Sequence, residues 1–124
     1  MQKINLSEKL SLFDDYWNPR IIGELNENYL KLVKIKDDFI WHHHEKEDEL
    51  FLVLRGKLLM EVKDSEGQEK TLEINAGELI VMPKGVEHRP RASEEVHILL
   101  IEPKTVINTG NVENAMTRKE LKSI

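Results

Sequence analysis

The chain is expected to fold as an all-β domain of mostly antiparallel strands behind one short helix. Three observations carry that expectation. Short β-type runs recur along most of the 124 residues, Gly and Asn turn signals separate them, and no stretch between them is long enough for a crossover helix.

Asn5 with Glu8 three residues later has the spacing of a capping box, so residues 6–14 are expected to form a short helix that carries Leu6, Leu10 and Phe13 on one side. Asn18-Pro19 ends it. Strands are then expected over 21–25, 29–36, 39–44, 49–55, 58–64, 69–74, 78–82, 88–92 and 96–101. Leu58, Met60 and Val62 alternate with Leu59, Glu61 and Lys63, the pattern of a strand with one wet face. Residues 49–54 and 98–101 are instead apolar on both faces apart from Glu49, so those strands should be covered twice. The tail is polar, with only a weak helical pattern over 113–122. The expected partition is 1–28 for the helix and lead-in strand, 29–103 for the barrel and 104–124 for the tail, all within one domain.

Composition narrows the class of function. Net charge is −5, from 18 basic and 23 acidic residues, so there is no basic footprint for nucleic acid or an anionic membrane. The absence of cysteine excludes disulfides and thiolate metal sites. No run approaches the roughly 18 apolar residues of a membrane span. The stretch MQKINLSEKLSLFDD lacks an apolar core and a small-residue cleavage site, so a cytoplasmic setting is expected.

Chemistry concentrates in two segments, HHHEKEDELFLVLRG (42–56) and GELIVMPKGVEHRPRA (77–92). Residues two apart in a strand project to one face about 6.5–7 Å apart. His42 and His44 can therefore converge on one ion, while His43 points away. Glu49 opens the next strand, and the Pro83-Lys84-Gly85 turn can bring His88 in from another. Three imidazoles and a carboxylate suit one divalent transition metal, Fe, Mn, Ni, Cu or Zn. Phe51 and Val53 share the parity of Glu49 and, with Met60 and Val62, are expected to line the pocket.

The first segment reads H-x-H-x4-E-x6-G (His42, His44, Glu49, Gly56), and the second G-x5-P-x-G-x2-H (Gly77, Pro83, Gly85, His88). These motifs resemble the two motifs of the cupin superfamily, in particular small single-domain cupins of the mannose-6-phosphate isomerase-like type. The resemblance centres on residues 42–92. It departs at Lys36 and Ala92, where the family pattern has glycine and asparagine. It implies an antiparallel double-sheet jelly-roll barrel with a metal in its mouth, held by His42, His44, Glu49 and His88. Glu49 could instead hydrogen-bond a metal-bound water.

Other residues receive plainer readings. Glu45 to Asp48 are most simply a solvated loop, with support or gating of the site by one of them as the alternative; Trp41 packs outside, and Arg89 and Arg91 face away from the metal. His97 is read as structural or at an interface, with a place in the pocket as the alternative. No acid–base partner beside the metal is evident, so catalytic residues are unassigned. The expected function is a metal-dependent enzyme acting on a small oxygenated metabolite, by isomerase, dioxygenase or lyase chemistry. The alternative is a non-catalytic module that binds or senses a small molecule. The strands covered on both faces suggest a homodimer, with Leu50, Leu52, Leu54 and the N-terminal segment at its contacts.

Overall fold

A computed structural model describes residues 1–124. One short helix, α1 (Leu6–Leu10), precedes seven strands: β1 (Arg20–Leu25), β2 (Asn28–Asp38), β3 (Glu49–Arg55), β4 (Lys57–Lys63), β5 (Glu69–Asn75), β6 (Leu79–Met82) and β7 (His88–Pro103). All strand pairs are antiparallel. The path β1-β2-β7-β3-β6 forms one wall, and β4 with β5 closes the other through the start of β7. No helix is long and apolar enough to cross a membrane.

β7 is the spine of the barrel. The sequence separates 88–92 from 96–101 by a Ser-Glu turn signal, but the chain runs through as one strand of 16 residues. Its first part pairs with β4 (Val62↔His88 to Leu59↔Arg91) and its second with β3 (Leu50↔Ile101 to Arg55↔His97). β2 lies along both parts, with a register shift between Ile35 and Asp37 that absorbs the bend. Gly56 makes the corner between β3 and β4 at φ 85°, where an added Cβ would come within 2.8 Å of the Glu95 carbonyl oxygen.

The expected strand over 39–44 does not form. Phe39 N–H donates to the Pro90 carbonyl, but Pro90 has no N–H to return. Pairing therefore reduces to a single bridge, His42↔His88, with both of its hydrogen bonds made (3.0 and 2.9 Å). The helix also stops at residue 10 rather than 14. The Asn5 side chain caps its start by accepting from Glu8 N–H, and Ser11 closes its end with backbone and hydroxyl bonds to the last turn.

The inner faces of both walls form a core of 13 buried residues, including Val33, Ile35, Phe51, Val53, Leu58, Met60, Val62, Ile98 and Leu100. A second, smaller cluster covers part of the outer face. Phe13, Ile22 and Leu32 pack there with Leu6, Leu10, Leu54, Leu99 and Ile124. The chain's own N-terminal segment thus supplies the second covering expected for Leu54, whereas Leu50 and Leu52 stay half-buried and Leu79 and Val81 are exposed. The tail forms no helix over 113–122. Its turns are held instead by side chains, with Asn108 bonding Met116 O and Arg118 N–H, and Thr109 bonding Thr117.

Candidate metal centre

Two turns bring the distant motifs together. The Gly85 N–H donates to the His44 carbonyl at 2.7 Å, and the Lys84 N–H to the Asp48 carboxylate at 2.8 Å. Asp48 is thus more than a solvated loop residue, because it caps the turn that delivers His88. The tail braces the same segment from the other side. Asn111 accepts from His43 N–H through its side chain and donates its own N–H to the His43 carbonyl. Gly110, at φ 56°, lies against that carbonyl so closely that no Cβ fits.

The four residues singled out from the sequence meet at one point. His42, His44, Glu49 and His88 are all buried, and each offers a ligand atom within 4.8 Å of the others. His44 Nε2 lies 3.0 Å and His88 Nε2 3.5 Å from Glu49 Oε1. In His42 and His88, Nδ1 lies 2.9 and 2.8 Å from the Ile40 and Val86 carbonyls. A carbonyl only accepts, so Nδ1 carries the proton and Nε2 turns a bare lone pair inward.

Such a cluster of lone pairs is costly without a cation. His44 Nε2, His88 Nε2 and Glu49 Oε1 are buried and lack a well-formed hydrogen bond. Burial first, and then the neighbouring His88, hold the His42 pKa down at about 4, so a proton is a poor substitute there. Burial opposes ionisation of Glu49, but the adjoining Glu102 carboxyl and the His44 and His88 rings outweigh it and hold its carboxyl well below the usual range. Neutral imidazoles, one carboxylate and orphaned inward lone pairs are the donor set that a divalent transition ion requires.

A second carboxyl-bearing layer lies behind this set and was missed from the sequence. Glu102 stands next to Glu49 across the β3–β7 pair, one step beyond Leu50↔Ile101. Lys31 Nζ donates to Glu102 Oε1 at 2.7 Å, and both side chains are only 3% exposed. Burial and the adjacent Glu49 push the Glu102 carboxyl well above its ordinary range, and Lys31 only partly opposes them. One proton shared by two carboxyls, with Lys31 charged, leaves the trio close to neutral. The available signal was parity. Lys31 shares a face with Val33 and Ile35, and Glu102 with Ile98 and Leu100, so each is a charge on an apolar stripe.

The site opens past His42 and Glu49 into a small cavity of about 50 Å³. Phe51 lines it, whereas Val53, Met60 and Val62 lie packed in the core. Other walls come from β2, β7, the irregular 39–44 segment and Trp17, which stacks on Phe39 with ring centroids 4.7 Å apart. His97 lies outside, bonded to Glu95 at 2.6 Å. Arg89 and Arg91 also point away from the centre, and together they clamp the buried Glu61. Lys63 and Arg89 sit over the ring of Trp41.

Comparison with known proteins agrees with this geometry. The family profile described as Cupin domain matches residues 31–102. A Bacillus subtilis (strain 168) protein, Uncharacterized protein YdbB, is 37% identical over 67% of this chain and 70% of its own length. A crystal structure of a cupin-2 domain containing protein from Shewanella frigidimarina NCIMB 400 superposes with a TM-score of 0.74 at 48% identity, covering 82% of this chain and 94% of that one. Acireductone dioxygenase from Yarrowia lipolytica (strain CLIB 122 / E 150) is 32% identical over 76% of this chain, which spans 56% of that relative's length.

Proposed function

The chain belongs to the cupin family, and from that premise we propose that it is a metal-dependent enzyme acting on a small oxygenated metabolite. The acireductone dioxygenase relative supports dioxygen chemistry as the reaction class. The single observation that carries the proposal is the convergence of His42, His44, Glu49 and His88, three of them with buried, unpartnered donor atoms, beside a cavity that His42 and Glu49 line.

These four side chains would hold one divalent ion. Such an ion supplies Lewis acidity at open coordination positions and, in the case of iron, redox chemistry with dioxygen. The protein's own part is positional. Backbone carbonyls of Ile40 and Val86 fix the tautomers of His42 and His88. Glu102 and Lys31 hold Glu49 from behind, while the apolar walls exclude bulk water from the reacting end.

Elemental analysis of untagged protein tests this directly. About one transition ion per chain is expected in wild type, with loss in both His42→Ala and His88→Ala. No metal after reconstitution would remove the proposal. The largely apolar cavity lining favours a second reading, non-catalytic binding of a small molecule. Oxygen consumption by the iron-loaded protein with candidate enediols and phenols separates the two.

We further infer that two copies associate through the uncovered outer face. Leu79 and Val81 on β6 stand opposite Leu52 and Leu50 on β3, and the latter pair opposite Leu99 and Ile101 on β7. This is a continuous apolar surface beside the N-terminal covering.

A further inference from the structure

The cavity walls specify the ligand more closely than the metal set does. Trp17, Val33, Phe39, Phe51, Ile98 and Leu100 supply an apolar enclosure, half of it aromatic. Pro19 and Pro90, also in the wall, have no backbone N–H to offer. The polar groups that do reach the wall are already engaged. Trp17 Nε1 donates to the Lys36 carbonyl at 2.9 Å. Both ends of the Asn108 amide are used by the tail, on Met116 O and Arg118 N–H. Lys31, the buried cation nearest the site, is spent on Glu102. Outside the His42–His44–Glu49–His88 cluster and the adjoining Glu102, the wall therefore offers no uncompensated cation and no free donor beyond the second N–H of the Asn108 amide.

Desolvating a polar or charged group against such a wall is costly, because nothing there replaces its water. Apart from that N–H, polar atoms of a ligand find partners at one end only.

We propose that the ligand of this cavity is a small molecule with a single polar, oxygen-bearing end and an apolar body of about the size of one aromatic ring. Its oxygens meet the cluster of His42, His44, Glu49 and His88, and its body lies against Trp17, Phe39 and Phe51. Sugars, phosphosugars and molecules charged at both ends are refused. This rests on the metal-centre reading above and narrows it.

The test uses zinc-loaded protein carrying Trp41→Phe, so that emission reports on Trp17 alone. Benzoate, terephthalate and gluconate share one carboxylate end and differ in the rest of the molecule. Benzoate should change Trp17 emission saturably and bind at least tenfold tighter than either of the others. Val33→Phe, which adds bulk at a wall residue outside the four-residue cluster, should abolish that response with zinc stoichiometry unchanged. Equal or tighter binding of gluconate or terephthalate overturns the proposal, as does the absence of benzoate binding. Zinc stoichiometry separates the two levels of failure. Zinc bound at one per chain without benzoate preference defeats this inference alone, whereas failure to bind zinc defeats the metal-centre reading beneath it. If Val33→Phe misfolds, the ligand series on the parent protein still decides.

Discussion

Lys31 and Glu102, 71 residues apart in sequence, form a buried pair at 2.7 Å immediately behind Glu49. The pair joins β2 to β7 inside the barrel and ends at the residue that opens β3. It is the route by which a metal-site carboxylate is tied to the rest of the core.

Breaking that pair from one side should be costly. Glu102→Leu leaves the Lys31 charge buried without a partner and is expected to destabilise the metal-free protein by about 3–5 kcal/mol. Replacing both, as Lys31→Met with Glu102→Leu, should recover most of that loss, since an apolar pair of similar volume needs no solvation. Urea denaturation of the two single variants and the double variant reads out the coupling. Additive effects would show that the two side chains do not act together.

The same layer should tune metal affinity. Removing a residue that orients a ligand typically costs about 10–100-fold. Glu102→Leu is expected to weaken zinc binding by that factor in a competition titration. Glu102→Gln should rescue much of it, because its amide can accept from Lys31 and donate to Glu49. Equal affinity in all three proteins would dissociate Glu102 from the site.

Stability of the metal-free chain should depend on His42 below neutral pH. Its pKa is about 4 in the fold against an ordinary 6.5. Between those values the unfolded chain binds the additional proton, so stability rises with pH through this window and is complete above 6.5. Lowering the pH to 4 should cost wild type about 3 kcal/mol more than His42→Phe. Chelator-treated samples at pH 7, 5.5 and 4 provide the comparison, and parallel curves would contradict the assignment.

Gly110→Ala tests the tail as a brace. The new methyl would collide with the His43 carbonyl at a left-handed backbone position, which is expected to cost about 2 kcal/mol or more. The displaced segment carries His42 and His44, so metal affinity should fall as well. Normal zinc binding in a destabilised Gly110→Ala protein would show the tail to be only a covering.

Self-association is checked by light scattering. Wild type should give twice the 14.5 kDa chain mass, and Leu79→Glu should return it to one chain by placing a charge in the apolar outer face. A monomeric wild type rules out the pairing.

The strands and the four central side chains were legible because both follow local rules. Period-two alternation placed β4, an apolar run ending at Gly56 placed β3, and the H-x-H spacing required only that His42 and His44 share a side. The bridge at His42 preserves that requirement although the surrounding strand is missing. That loss traces to Pro90, which sits on a different element, so no reading of 39–44 by itself could find it. Parity marks Lys31 and Glu102 each as a charge on an apolar stripe, but only the folded register of β2 against β7 brings the two together. The braces at Asn111 and Asp48 depend on loops meeting in space, for which the chain carries no periodic signal.

β7 also constrains the order in which the molecule can assemble. It contributes His88 and Glu102, pairs with β2, β3 and β4, and begins only at residue 88 of 124. During synthesis the first two histidines and Glu49 emerge well before it, with no wall against which to be held. Long-range pairings of this kind form late and slowly. Metal capture must therefore follow closure of the barrel, and a nascent chain stalled before β7 would expose its unpaired strand edges and a half-built histidine cluster together.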